Sequence, residues 1–183
     1  MNYYEILLQA FQAIQVIFLS YPRADGERGH GERIFAYELY HQLRNIIPLE
    51  QVVIHGEYVK IPGVVAGLEG RIEPDIIIHH PGDFESQDLA IEIKANPATI
   101  NKNSVLQDLR KVRSYLDAPL NFDVVAFVLA NVPFDTAVDG ATQEEAAEIE
   151  AILANENIHV FNVLLPDEFE DYQAIQPAWI HEL

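Results

Sequence analysis

Two carboxylates and one lysine in the middle of the chain have the types and spacing of a metal-assisted hydrolytic site. Asp75 follows Pro74, and one residue separates Glu92 from Lys94. Because alternate side chains of a β-strand share a face, Glu92 and Lys94 are predicted to point the same way, with Ile93 pointing into the other layer. If the strands that carry Asp75 and Glu92 pair through the turn between them, both carboxylates and the ammonium group converge at one end of a sheet.

This grouping predicts divalent-cation chemistry on a phosphodiester. Mg²⁺ and Mn²⁺ prefer oxygen ligands, and Mg²⁺ is commonly held by one or two carboxylates while it keeps several waters. A metal-bound water loses its proton more readily and attacks the phosphodiester, while the metal stabilises the charge that develops on the phosphate. Lys94 is predicted to orient that water or to act on the phosphate as a point charge.

A third acidic residue is predicted at the start of a helix. Glu32 is followed at three, seven and eleven residues by Phe35, Leu39 and Leu43, which places it on the apolar face. A carboxylate on that face is costly unless it meets a cation or water at the N-terminal end of the helix. We therefore expect Glu32 to join the other two carboxylates.

Each of these residues also has a plain structural interpretation. Glu92 and Lys94 would then form a solvent-facing ion pair on an edge strand, and Asp75 would be an Asx cap after Pro74. Glu32 would be an ordinary first-turn acid that the helix dipole favours. The apolar neighbours of Glu92 favour an interior strand over the edge.

The elements that would position these residues follow from the hydrophobic pattern. Helices are predicted over residues 1–20, 32–47, 103–116 and 142–155. Strands are predicted over 51–61, 72–80 and 89–95, as an antiparallel meander, and over 122–130 and 158–165. The nearly continuous apolar run at 122–130 is typical of a strand covered on both faces. The pattern predicts one α/β domain over residues 1–183, with a mixed β-sheet and helices on both faces.

These motifs together resemble the PD-(D/E)XK nuclease superfamily, the restriction-endonuclease-like fold that includes Holliday-junction resolvases. The resemblance is carried by Gly31-Glu32-Arg33, by Pro74-Asp75, by Glu92-Ile93-Lys94, and by a later helix with Gln107, Asp108 and Lys111. It covers residues 32–130 and implies an α-β-β-β-α-β core. It also implies Mg²⁺-dependent phosphodiester hydrolysis that leaves a 5′-phosphate.

The resemblance also implies roles for individual residues. Asp75 and Glu92 would bind Mg²⁺ or Mn²⁺, Glu32 would be the auxiliary acid, and Lys94 would be the catalytic lysine. Gln107 or Lys111 would approach the substrate phosphate from the later helix.

Two arginines of the glycine-bearing loop at residues 21–31 and the adjoining helix start, Arg28 and Arg33, are further candidates for phosphate contacts, with a solvated loop as the alternative. DNA is favoured over RNA as the substrate, although the residues alone do not distinguish them. The resemblance is compatible with a homodimer.

The composition is that of a globular protein with a strongly negative charge. The 183 residues include 29 acidic and 11 basic ones, a formal net charge of -18, and no cysteine. Without cysteine there is no disulfide framework and no thiol catalysis. The excess of acid argues against tight non-specific duplex binding and against a polybasic membrane-surface protein. Residues 114–183 hold 14 acidic residues and no Lys or Arg.

This charge partition leaves two functional hypotheses. In the first, residues 32–130 form a metal-dependent nuclease, and residues 131–183 are an acidic α-β extension. In the alternative, the chain is a catalytically inactive nuclease-like binding module or a DNA mimic, whose acidic half contacts a protein partner. The N-terminal segment has no Lys or Arg and is interrupted by polar residues, which favours a helix over a signal peptide or membrane span. A cytoplasmic location is therefore expected.

Overall fold

A computed structural model describes residues 1–48, 52–56, 73–81, 87–117 and 120–183. The helices are α1 (Tyr3–Ala13), α2 (Glu32–Ile46), α3 (Lys102–Tyr115), α4 (Phe134–Ala137) and α5 (Gln143–Leu153). The strands are β1 (Tyr21–Pro22), β2 (Arg28–Gly29), β3 (Val53–Gly56), β4 (Ile76–His79), β5 (Gln87–Lys94), β6 (Phe122–Ala130), β7 (Ile158–Val163) and β8 (Ile180–Glu182). Short 3₁₀ helices cover Val16–Phe18, Pro97–Thr99 and Pro177–Trp179.

Six of these strands form one mixed sheet in the order β3-β4-β5-β6-β7-β8. Strands β3, β4 and β5 pair antiparallel, which is the predicted meander. Strands β5, β6 and β7 are parallel, and β8 is an edge strand that pairs antiparallel with β7. From α2 to β6 the elements follow the predicted α-β-β-β-α-β order, and the predicted α/β fold with a mixed sheet is confirmed.

The sheet is covered by helices on both faces. Ala126 and Val128 of β6 pack with the apolar residues of α1 and α2, whereas Val125 and Phe127 pack with those of α3 and α5. Period-2 alternation therefore gives this strand two buried faces, as its continuous apolar run predicts. Within the described ranges, no helix has the length and hydrophobicity needed to cross a membrane.

The predicted N-terminal helix over residues 1–20 is too long. Helix α1 ends at Ala13, and Ile14 takes an extended conformation. The backbone N–H of Val16 then donates to the carbonyl of Gln173, and the N–H of Ile175 donates to the carbonyl of Ile14. The helix ends because its next peptide groups bond to the C-terminal segment of the chain.

Smaller differences concern the loops and the first strand. Residues 21–31, predicted as a loop, contain the short antiparallel pairing of β1 with β2. Of the strand predicted over 51–61, β3 covers Val53–Gly56, and residues 51 and 57–61 lie outside the described residues. Helix α4 and strand β8 were not predicted, because both are short and lack a clear periodic pattern.

Candidate active site

Strand β5 extends beyond the strand that it pairs with on one side. Ile76, the first residue of β4, pairs with Ile91, whereas β5 continues to Lys94. Unpaired backbone N–H groups are costly away from water. Here the N–H of Ile93 donates to Asp75 Oδ2 at 2.7 Å, and the N–H of Ala95 donates to Glu32 Oε2 at 3.3 Å. Two of the three predicted carboxylates therefore continue the hydrogen-bonding edge of β5 where β4 has ended.

The positions of these two carboxylates follow from local structure. Asp75 stands one residue before the Ile76–Ile91 pair, so a continued antiparallel register would set it opposite Glu92. Glu32 is the first residue of α2, after the extended Gly31. The antiparallel pairing and the helix start thus bring Asp75 and Glu32 to the same end of β5, as the sequence predicts.

Glu92 is buried and held by two side chains of α3. Lys111 Nζ donates to its Oε1 at 2.5 Å, and the hydroxyl of Tyr115 donates to its Oε2 at 3.1 Å. Lys111 also donates to the carbonyl of Glu73 at 3.3 Å. Both carboxylate oxygens of Glu92 therefore accept a hydrogen bond, which fixes the orientation of the group.

Lys94 lies on the same face of β5 as Glu92. Its Nζ is 2.7 Å from Asp108 Oδ2 of α3, and both side chains are 15% exposed. Ile91 and Ile93 pack in the opposite layer, against α1 and α2. The predicted alternation along β5 is confirmed.

Burial, together with the charges of nearby carboxylates, raises the pKa of both Asp75 and Glu92. Burial, with the charges of Glu32 and Asp108, raises the pKa of Asp75 to about 6. Burial, with the charges of Asp75 and Asp108, raises the pKa of Glu92 to about 7. Lys111 opposes both shifts but does not cancel them. Two neighbouring carboxyl groups whose pKa values are raised towards neutrality are typical of functional sites.

A cavity of about 110 Å³ opens beside Asp75 and Glu32. Its other lining residues are Arg33, Ala36, Tyr37, Tyr40, Gly56 and Ile76. Arg33, predicted to contact phosphate, therefore lies in the same wall as two of the predicted metal ligands.

The other three predicted phosphate contacts are placed differently. Lys111 is the ion-pair partner of Glu92. Gln107 is exposed on α3, and no hydrogen bond among the described residues joins it to the cluster. Arg28 donates to the side chain and carbonyl of Ser20 and to Asp171, and its guanidinium stacks on Phe169. It lines a separate cavity of about 350 Å³.

The sequence analysis neither placed Tyr115 at the site nor identified a partner for Lys94. Asp108, Lys111 and Tyr115 recur at three and four residues along α3, so they form one stripe of the helix. That spacing was the available signal. The spacing connects these residues with the site only when α3 is known to place this stripe against the strand that carries Glu92.

The donors at this end of β5 are carboxylate oxygens, the ligand type that hard divalent cations prefer. In the ranges that the structure describes, no three acidic or imidazole side chains are arranged as the ligands of one ion. Mg²⁺, however, often takes one or two carboxylates and completes its shell with water. The charge of Asp75 raises the pKa of Glu92, and a bound cation would offset that repulsion.

Neither a scan against protein-family models nor a search of curated proteins finds a match to this chain.

Proposed function

We propose that this protein is a metal-dependent nuclease of the PD-(D/E)XK type, which hydrolyses phosphodiester bonds of nucleic acid, with DNA as the favoured substrate. The observation that carries the proposal is the convergence of Asp75, Glu92 and Lys94 at one end of β5, with Glu32 beside them. This convergence occurs within an α-β-β-β-α-β arrangement, the core that the superfamily uses.

In this proposal, Asp75 and Glu92 hold Mg²⁺ or Mn²⁺, with Glu32 as the auxiliary acid. The bound cation supplies an activated water and stabilises negative charge on the phosphate. Lys111 and Tyr115 keep the Glu92 carboxylate in one orientation through their hydrogen bonds. The backbone N–H of Ile93 does the same for Asp75.

Lys94 is the residue proposed to act on the substrate. Its ammonium group is anchored by Asp108 on the face of β5 that carries Glu92. An ammonium group has three donors, so Lys94 can keep its bond to Asp108 while it donates to a phosphate oxygen or to the attacking water.

The proposal is tested by incubating the purified chain with supercoiled, branched and single-stranded DNA and with RNA, in Mg²⁺, in Mn²⁺ and in EDTA. Cleavage should require the metal and should fall about 100-fold or more in Lys94→Met, the scale on which a lost transition-state contact acts. Lys102→Met is the matched control, because Lys102 also pairs with an acid, Glu145, at 2.8 Å. This control should cleave normally.

The result that overturns the proposal is absence of cleavage for all of these substrates in both metals. Cleavage that survives Lys94→Met at the wild-type rate would equally remove the proposed role of this lysine.

A second candidate is a nuclease-like binding module without turnover, which uses its acidic half to bind a basic protein. The exposure of Glu144 and Glu150 on α5 favours it, since these carboxylates face solvent. Glu145 and Glu148 of the same helix instead pair with Lys102 and Arg110 of α3. Metal-dependent cleavage together with no protein captured in a pull-down would reject this candidate.

A further inference from the structure

The cavity beside the carboxylates has an aromatic wall. Along α2 it is lined by Arg33, Ala36, Tyr37 and Tyr40, whose spacing puts them on one side of the helix. Glu32 and Asp75 complete the polar end of the same cavity. A phosphate that reached the carboxylates through a bound metal would therefore have its neighbouring nucleoside beside the tyrosines.

Tyr37 and Tyr40, the two tyrosines of this cavity, differ in how accessible their rings are to a ligand. The Tyr40 hydroxyl donates to the carbonyl of Ile54 at 3.3 Å, and the Arg44 guanidinium lies 5.8 Å from the ring centroid. The Tyr37 side chain is 56% exposed, although it stands on a helix whose other large apolar residues are mostly buried. Contacts with neighbouring residues therefore hold Tyr40 in place, whereas the ring of Tyr37 is accessible to a ligand.

Gly56 keeps the opposite side of the cavity open. A β-carbon at this position would lie 3.7 Å from the Asp75 carbonyl oxygen and 4.0 Å from Tyr40 Cδ2. Any side chain longer than a methyl group would therefore extend into the space between α2 and the start of β4. The cavity exists partly because this residue has no side chain.

A flat, π-faced ligand with an adjoining anionic group suits this arrangement. Stacking of a nucleobase on an aromatic side chain strengthens binding by roughly 5- to 150-fold and does not depend strongly on the base. Arg33 lines the same cavity, and a guanidinium group suits a phosphate oxygen. Inside a continuous duplex both faces of each base are covered by neighbouring base pairs, so an unpaired base stacks on a protein ring without the cost of unstacking. The net charge of -18 also provides no positive track for a duplex.

We propose that this cavity binds an unpaired nucleic-acid strand, with the base next to the scissile phosphate stacked on Tyr37. The inference rests on the proposed nuclease function and names the substrate class of that site. The protein acts on single strands or on unpaired segments at ends and branches, and not on continuous duplex.

Binding is measured by fluorescence anisotropy with labelled single-stranded DNA, single-stranded RNA of the same sequence, and the corresponding duplex DNA, in EDTA and in Ca²⁺. The single strands should bind more tightly than the duplex. Tyr37→Ala should weaken single-strand binding about tenfold or more, and Tyr37→Phe should restore most of it. Tyr172→Ala is the matched control, because Tyr172 is 73% exposed and lies outside the cavity.

A second variant tests the cavity without altering an aromatic ring. Gly56→Leu should fill the space and weaken single-strand binding, while its circular dichroism melting curve shows that the protein is folded. Equal affinity for single strand and duplex, or wild-type affinity in both Tyr37→Ala and Gly56→Leu, would overturn the inference even if the protein cleaves DNA. Tyr37-dependent single-strand binding without cleavage in any metal would support this inference and overturn the nuclease proposal instead.

Discussion

Replacing Asp75 by asparagine should stabilise the folded protein at neutral and alkaline pH. Burial and nearby carboxylates raise the pKa of Asp75 from 3.8 to about 6, so the folded state holds this proton more tightly than the unfolded chain does. For a carboxyl group with a raised pKa, stability falls as the pH rises from the unfolded value through the folded value, and the full penalty persists above it. Asparagine avoids the charge, and its Oδ1 can still accept the Ile93 N–H.

The magnitude follows from the size of the pKa shift. A shift from 3.8 to about 6 corresponds to an upper bound of roughly 3 kcal/mol. The variant also loses the attraction between Asp75 and Lys111, and Asp75 is partly exposed, so we expect a gain of about 1–2 kcal/mol. For a chain of this length that gain raises the melting temperature by about 2–8 °C.

Urea unfolding followed by circular dichroism, in EDTA at about pH 5 and about pH 8, measures this effect. The gain should be larger at the higher pH, where the wild-type carboxylate is fully ionised in the folded state. Asp167→Asn is the control, since Asp167 is exposed and should give no gain. An Asp75→Asn variant that is less stable than wild type at the higher pH, or that gains equally at both, would refute the reasoning.

Three further outcomes are expected. Mg²⁺ or Mn²⁺ should raise the wild-type melting temperature, more at about pH 8 than at about pH 5, because bound cation stabilises the folded state and competes with protons; the same increase in Asp75→Asn would contradict the proposed ligand. Tyr115→Phe should lower the free energy of unfolding by about 1–2 kcal/mol in urea titrations, since Glu92 loses a buried donor; wild-type stability would mean that this hydrogen bond contributes nothing. Asn162→Leu should lower it by about 2–4 kcal/mol, because the buried N–H of Phe134 loses its acceptor; a loss below about 1 kcal/mol would show that another group replaces it.

The sequence pattern predicted the bounds of an element correctly where the residues that end it are its neighbours in sequence. The strand predicted over 122–130 is β6, with the same bounds, because its continuous apolar run ends in polar residues on both sides. Helix α2 begins at Glu32 as predicted, after a glycine that leaves the helical conformation. The end of α1 was missed, because the hydrogen bond from Val16 to Gln173 connects segments far apart in sequence. Periodicity carries no information about such a contact.

The same distinction applies to the site. Alternation along β5 and its antiparallel pairing with β4 are local properties, and they were sufficient to predict that Glu92 and Lys94 share one face of β5 and that Asp75 lies at the same end of the strand. The partners on α3 were not predictable in this way, because the position of a helix across a sheet depends on how the whole interface packs. The pairing of Lys111 with Glu92 is the clearest example.

The acidic composition affects the proposed chemistry because carboxylates pair with the basic residues near the site. Four basic residues of α3 and the end of β5 are each paired with a carboxylate, namely Lys94, Lys102, Arg110 and Lys111. The attraction of these bases for a phosphate backbone is therefore already largely offset. Under the proposed function, a divalent cation must supply most of the positive charge that the substrate meets, and aromatic stacking must supply the remaining affinity. A strongly acidic protein can then act on nucleic acid, because the positive charge that contacts the phosphate comes from a cation bound at the site and not from basic residues spread over the surface.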